Sequence, residues 1–210
     1  LRGPYRLHVS TGWGRMYEKF IAEAIAAGAG DLVDVMASRM VLQHWQVDGP
    51  TPKRIVEYYQ ALRGTPAFAR RAGAVLASLP AFGVWWYGNL VERNPLARLF
   101  FERSTSEWLE DADVMRDLLE SPQIHVQVLA FRVLGADDDR ARKVASNSLD
   151  LLVPTLLRPL HRRTRLLAFR ALENAAIDED RARSVLVKAK EAFDLPDRKY
   201  PKEKLLALCA

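Results

Sequence analysis

Two four-residue words recur in the same order in the second half of the chain, and that repetition constrains the fold more than any other feature. Leu129-Ala130-Phe131-Arg132 returns 38 residues later as Leu167-Ala168-Phe169-Arg170. Asp139-Arg140-Ala141-Arg142 returns 41 residues later as Asp180-Arg181-Ala182-Arg183. The three additional residues fall in the intervening turn, where insertions are tolerated. A third copy starts near the end, where Leu205-Leu206-Ala207-Leu208 echoes Leu166-Leu167-Ala168-Phe169 at a shift of 39. A period near 40 residues suits stacked helical pairs, none of which can bury its apolar face alone.

The apolar spacing agrees with helices at these positions. Ala141, Val144, Ala145, Ser148, Leu149 and Leu152 follow one helical stripe, and a shift of 41 turns it into Ala182, Val185, Leu186, Ala189, Lys190 and Phe193. The preceding segments carry main stripes at Val126, Ala130, Val133 and Leu134, and at Thr164, Ala168, Ala171 and Leu172. Each also holds apolar residues on its far side, Val128 with Phe131 and Leu166 with Phe169. A helix apolar on two sides is expected to be wedged between neighbours.

Proline and glycine cut the rest into helix-sized pieces. Thr51-Pro52, Thr65-Pro66, Asn94-Pro95 and Ser121-Pro122 each place a capping oxygen before a proline whose missing N–H costs nothing in a first turn. Ser104 with Glu107 has capping-box spacing, and Gly30-Asp31, Asp137 and Asp178 are further starts. The pattern predicts helices near 16–28, 31–46, 52–63, 66–79, 82–92, 95–103, 105–120, 122–135, 138–157, 160–176, 179–194 and from 201 onward. Strand signals are confined to a weak alternation over Tyr5–Val9, so residues 1–15 read as an N-terminal arm or loop. Connections of two to six residues favour antiparallel neighbours.

The second half resembles the HEAT-like repeats of the armadillo/HEAT α-solenoid family. In that family the second helix opens with Asp-Pro, two to four residues, Val-Arg, then spaced alanines and Ala-Leu. Here Ser121-Pro122 leads through Val126-Gln127 to Ala130 and Val133-Leu134, and Arg158-Pro159 leads through Thr164-Arg165 to Ala168 and Ala171-Leu172. Tyr200-Pro201 opens the third copy. The sequence departs from the pattern at the aspartate (Ser121, Arg158, Tyr200) and, in one copy, at the arginine (Gln127). The resemblance covers residues 105–210 and implies an all-α fold, an α-solenoid of antiparallel helix pairs winding as a right-handed superhelix. Residues 16–104 are then an irregular helical region packed on the solenoid, and the last repeat is incomplete. Its Leu205, Leu206 and Leu208 are expected to be exposed unless a partner or a further repeat covers them.

In the resembled family the second helices line the concave surface that binds partners. Residues 151–172 hold Arg158, Arg162, Arg163, Arg165 and Arg170 with His161, and no acid. Arg158, Arg162 and Arg165 fall within a sector of about 60° at about 100° per residue. Such a row would neutralise phosphates or an acidic peptide; the alternative is a solvated helix face, with Arg165 at the family's structural-arginine position. A second basic cluster comprises Lys53, Arg54, Arg63, Arg70 and Arg71, with Tyr58 and Tyr59 the only interleaved aromatics. In the acidic segment 107–120, Glu110, Asp113 and Asp117 share a helical face, without the convergent ligands from other elements that a metal needs.

Other motifs are weaker. Trp85, Trp86 and Tyr87, with Trp45 and Trp108, raise base stacking as in DNA glycosylases built from HEAT-like repeats, but consecutive aromatics diverge around a helix and suit core packing. Trp13-Gly14-Arg15 matches the signature of the strand-rich WGR domain, against the helical pattern that follows. The four histidines lack ligand spacing, and no Ser/His/Asp or Cys/His constellation is present.

Composition bounds the rest. The chain has 210 residues, 49% hydrophobic, which is ample for a buried core and excludes global disorder. A single cysteine, Cys209, excludes an internal disulfide framework and a cysteine zinc cage. The formal charge of +5 permits acidic partners, and 23 arginines against 8 lysines suit anion recognition or a GC-rich source. An initial leucine suggests a piece of a longer protein, and no signal peptide or membrane span is legible. The expectation is a cytoplasmic, non-catalytic protein-binding or scaffold module without cofactor or metal. The alternative is nucleic-acid binding through the arginine face, with a HEAT-like DNA glycosylase behind it.

Overall fold

The computed structural model describes residues 11–43, 53–80, 94–101, 105–156 and 162–193. Among these residues every regular element is an α-helix, and no helix is long and apolar enough to cross a membrane. The predicted helices over 82–92 and from 201 onward, with Leu205, Leu206 and Leu208, lie outside the described residues. Contacts divide the chain into two compact units: residues 1–107 with 121–125, and residues 108–120 with 126–210.

The first unit contains α1 (Thr11–Ala26), α2 (Gly30–Gln43), α3 (Lys53–Leu62), α4 (Pro66–Ala77) and α5 (Pro95–Phe101). Helix α1 starts inside the segment expected to be an arm. Gly12 and Gly14 each cost a helix about 1 kcal/mol relative to alanine, which lowers propensity without stopping it. Trp13-Gly14-Arg15 is therefore helical, not part of a strand-rich domain.

Helices α1 and α2 are joined by a turn with two hydrogen bonds. Ala29 N donates to Ala24 O at 2.9 Å and Gly28 N donates to Ile25 O at 3.0 Å, the paired bonds of a Schellman motif. That motif needs a left-handed residue, which Gly28 supplies at φ 69°. Helix α1 packs on α2 and α3, α2 on α4 and α5, and α3 on α4 and α5. Ile21, Val33, Ile55, Phe68, Leu76 and Leu96 are fully buried among them. The Phe100 ring meets Tyr59 edge-on at 4.9 Å and Phe68 at 6.4 Å, each such pair contributing about 0.5–1.5 kcal/mol beyond its buried area.

The predicted caps are realised unequally. Asn94 is fully buried; its Oδ1 accepts from Leu96 N and Ala97 N, while its amide donates to Met40 O on α2. Thr65 has the extended backbone of an N-cap before Pro66, but its hydroxyl donates backwards to Leu62 O at 2.6 Å. It ties α4 to the end of α3 instead of capping α4. Thr51-Pro52 and Ser104 lie outside the described residues. Glu107, on the short α6 (Thr105–Trp108), spends its carboxylate elsewhere: Oε2 accepts from Arg63 Nη2 at 2.8 Å and Oε1 from Gly64 N at 2.9 Å.

The second unit contains α7 (Ala112–Glu120), α8 (Ile124–Leu134, entering this unit at Val126), α9 (Asp139–Asn147), α10 (Leu149–Leu156), α11 (Arg162–Asn174) and α12 (Glu179–Phe193). Two expected helices are broken. The 105–120 segment stops at Trp108 and restarts at Ala112, because Asp111 Oδ1 accepts from Asp113 N and Val114 N and so begins a new helix. The 138–157 segment breaks at Ser148, yet Ala141, Ala145, Ser148, Leu149 and Leu152 all remain buried across the break. Asp138, not Asp137, caps α9 through Arg140 N and Ala141 N; Asp178 accepts from Arg181 N as expected. Helix α8 begins at Ile124, two residues past Pro122, with Ser121 Oγ accepting from Gln123 N.

Equivalent positions of the repeated word match in burial except the first, where Leu129 is buried and Leu167 half-buried. Ala130, Phe131, Val133 and Leu134 are buried, as are Ala168, Phe169, Ala171 and Leu172, while Arg132 and Arg170 are both exposed. Helix α10 touches α7 on the one hand and α12 on the other, and it also packs on α9 and α11. Polar rungs link the copies. Asn174 Nδ2 donates to Leu134 O at 2.7 Å and Ala136 O at 2.9 Å, satisfying carbonyls at the end of α8. Ser146 Oγ accepts from Ala176 N at 2.8 Å. Gly135 lets α8 end against α11: a Cβ there would lie 3.3 Å from both Ala171 N and Arg170 Cβ.

Candidate functional site

Of the expected arginine row, the side chains of Arg165 and Arg170 are described. Arg158 lies outside the described residues; Arg162 and Arg163 lie on the described backbone of α11, and their side chains fall outside the description. Arg165 is half-buried and engaged by its neighbours, next to buried Thr164, which fits a structural arginine. Arg170 is exposed.

The structure instead sets Arg170 in register with Arg132. Both end the repeated Leu-Ala-Phe-Arg word, and the two helices meet at their C-terminal ends through Gly135 and Asn174. One turn before each arginine stands an aliphatic residue, Val128 half-exposed and Leu166 45% exposed. These two were expected to be wedged against neighbours. The main stripes and the two phenylalanines already fill the core-facing sides of α8 and α11, so the i, i+4 strip carrying Val128 and Leu166 is left open.

Five other arginines of the unit pair with acids. Arg116 binds Asp150, Arg140 binds Glu110, Arg142 binds Asp139, Arg181 binds Asp178, and Arg183 binds Glu179. The Asp150 hydrogen bond and charge raise the Arg116 pKa. Among the described residues Arg132 and Arg170 pair with no acid. Sequence reasoning missed Arg132 because it searched for local density along one helix. The legible signal was the fourth letter of the repeated word.

The second basic cluster is dispersed into structural pairs. Arg63 joins Glu107 and lies over the Phe68 ring at 5.4 Å; Lys53 Nζ is 3.1 Å from Glu57. The backbone N–H groups of Lys53 and Arg54 donate to the Glu18 carboxylate. Arg70 is exposed and engaged. The acidic segment also divides: Glu110 sits in the turn before α7, apart from the helical face of Asp113 and Asp117. Among the described residues no group of three His, Cys, Asp or Glu could hold a metal ion. His125 is buried and engaged, while His8, His44, His161, Trp45, Trp85, Trp86 and Cys209 lie outside the described residues; Trp108 is fully buried.

One polar cluster was not foreseen. Asp34 on α2 accepts from Tyr59 Oη at 2.6 Å and from Arg71 Nη1 at 2.8 Å, joining α2, α3 and α4. Burial raises the Asp34 pKa, while Tyr59 and Arg71 act against that rise. Burial, then the Asp34 hydrogen bond and charge, raises Tyr59 far above its usual range; burial also raises the neighbouring Tyr58. Burial disfavours the charged Arg71, but Asp34, Tyr58 and Asp31 together outweigh it and the arginine pKa rises. The Tyr59 side chain is fully buried, so this arrangement works as a latch between helices and not as an accessible acid–base group.

No family model, curated protein or solved structure matches the chain.

Proposed function

We propose that the chain is a non-catalytic protein-binding or scaffold module whose partner docks on the second helices of the repeated pairs, α8 and α11. The proposed frame is an α-solenoid of antiparallel helix pairs with HEAT-like character over 105–210. It is supported by the shared burial of the repeated word, by α10 touching both α7 and α12, and by the Asn174 rung. The observation that carries the functional reading is the repeated strip. Arg132 and Arg170 stand exposed at equivalent positions, with Leu166 exposed and Val128 half-buried one turn before them, while every other residue pair of the shared word is buried in at least one copy.

A photo-reactive amino acid placed at Val128 or Leu166 is expected to cross-link to protein in nuclease-treated lysate. The same group at Ser184, exposed on α12, is expected to give background only. Equal yields at all three positions, or cross-links to nucleic acid alone before nuclease treatment, would overturn the proposal.

A further inference from the structure

We infer that the strip on α8 and α11 takes an acidic protein segment that presents a bulky aliphatic side chain between its carboxylates. This rests on the protein-binding reading and names the partner's chemistry. Arginine forks bind carboxylates bidentately, and among the described residues Arg132 and Arg170 have no acid while five other arginines of the unit do.

The aliphatic half of the strip decides between classes of partner. Leu166 is 45% exposed one turn from Arg170, and Val128 holds the same place beside Arg132. A hydrated phosphate backbone set against that surface would gain nothing from covering it, whereas an aliphatic side chain would remove both surfaces from water. Charge density points the same way. The strip presents two arginines, and Glu173, one turn beyond Arg170, is exposed and engaged. Polyanions bind through many neutralised phosphates, while a pair of carboxylates is matched by a pair of arginines.

The test uses the full chain and four fluorescent probes. These are a 12-residue Asp/Glu peptide with leucine at every fourth position, the same peptide with serine for leucine, its lysine counterpart, and a 12-nucleotide single-stranded oligothymidine. Fluorescence anisotropy is expected to rank the acidic leucine peptide first. Arg132→Glu with Arg170→Glu should weaken it about tenfold or more, and Leu166→Ser in the protein about tenfold. Arg132→Gln with Arg170→Gln, checked by circular dichroism, keeps the test valid if the charge reversal perturbs folding. Equal affinity for the serine peptide or the oligonucleotide overturns the inference, as does indifference to the arginine variants. Failure of every probe while Leu166 still cross-links to protein would sink this partner chemistry and leave the scaffold reading standing. Failure of both would sink the two together.

Discussion

Gly30 carries a prediction whose sign depends on a single neighbour. It begins α2 without a positive φ, so alanine fits its backbone and, by restricting the unfolded chain, should add about 0.4–1 kcal/mol. The obstacle is the Arg71 guanidinium: a Cβ on Gly30 would lie 2.3 Å from Cζ, Nη1 and Nη2. A long side chain can swing away at little steric cost, but this one donates to Asp34 at 2.8 Å, with 29% of the arginine and 14% of the aspartate side chain exposed. Losing a charged hydrogen bond in such a setting costs about 1.5–3 kcal/mol. Gly30→Ala should therefore destabilise the protein by about 0.5–2.5 kcal/mol, the loss less the backbone gain. In an Arg71→Ala background the obstacle is gone, and the same substitution should stabilise by about 0.4–1 kcal/mol. Urea unfolding followed by circular dichroism on the four proteins of this cycle measures both effects. A Gly30→Ala effect of the same sign and size in both backgrounds would refute the reasoning, because the guanidinium would then not be what the methyl displaces.

Two further outcomes follow from the latch and the repeat. The Asp34 pKa is raised in the folded state above 3.8, so its contribution is full below that value and is lost as pH rises through the folded pKa. Unfolding free energies measured from about pH 3 to 7 should therefore shift in favour of Asp34→Asn relative to wild type as pH rises; the opposite slope, or a carboxyl resonance titrating below 3.8, contradicts the burial argument. Asn174→Ala removes both donors from the Leu134 and Ala136 carbonyls and should cost about 1–3 kcal/mol in urea unfolding, with nothing measurable counting against the rung.

The helical nature of the chain was legible because its starts are written in local chemistry. Asn94 and Asp178 cap where they were expected, since a short side-chain oxygen beside free N–H groups needs no tertiary partner. Thr65 and Glu107 were misread for the complementary reason. Each had the right residue type, but Leu62 O claimed the threonine hydroxyl, and Arg63 with Gly64 N claimed the glutamate, from 43 or more residues away in the latter case. The break at Leu109–Asp111 was hidden because Asp111 reads equally well as one more acid on a helix face. The repeated word fixed which residues would share an environment, including the pair Arg132 and Arg170, but periodicity does not say which apolar side meets a neighbour. Val128 and Leu166 carry the same hydrophobic signal as buried Phe131 and Phe169. The latch of Asp34, Tyr59 and Arg71 spans three helices and 37 residues, with no local motif to announce it.

The hydrogen atom on Gly135 acts as a gauge. With Ala171 N and Arg170 Cβ each 3.3 Å from where a methyl would sit, any side chain there must push α11 outward by a few tenths of an ångström. That displacement would shift Arg170, through its own Cβ, relative to Arg132. If the proposed docking surface is right, a library varied at residue 135 alone should retune selectivity among peptides of different charge spacing.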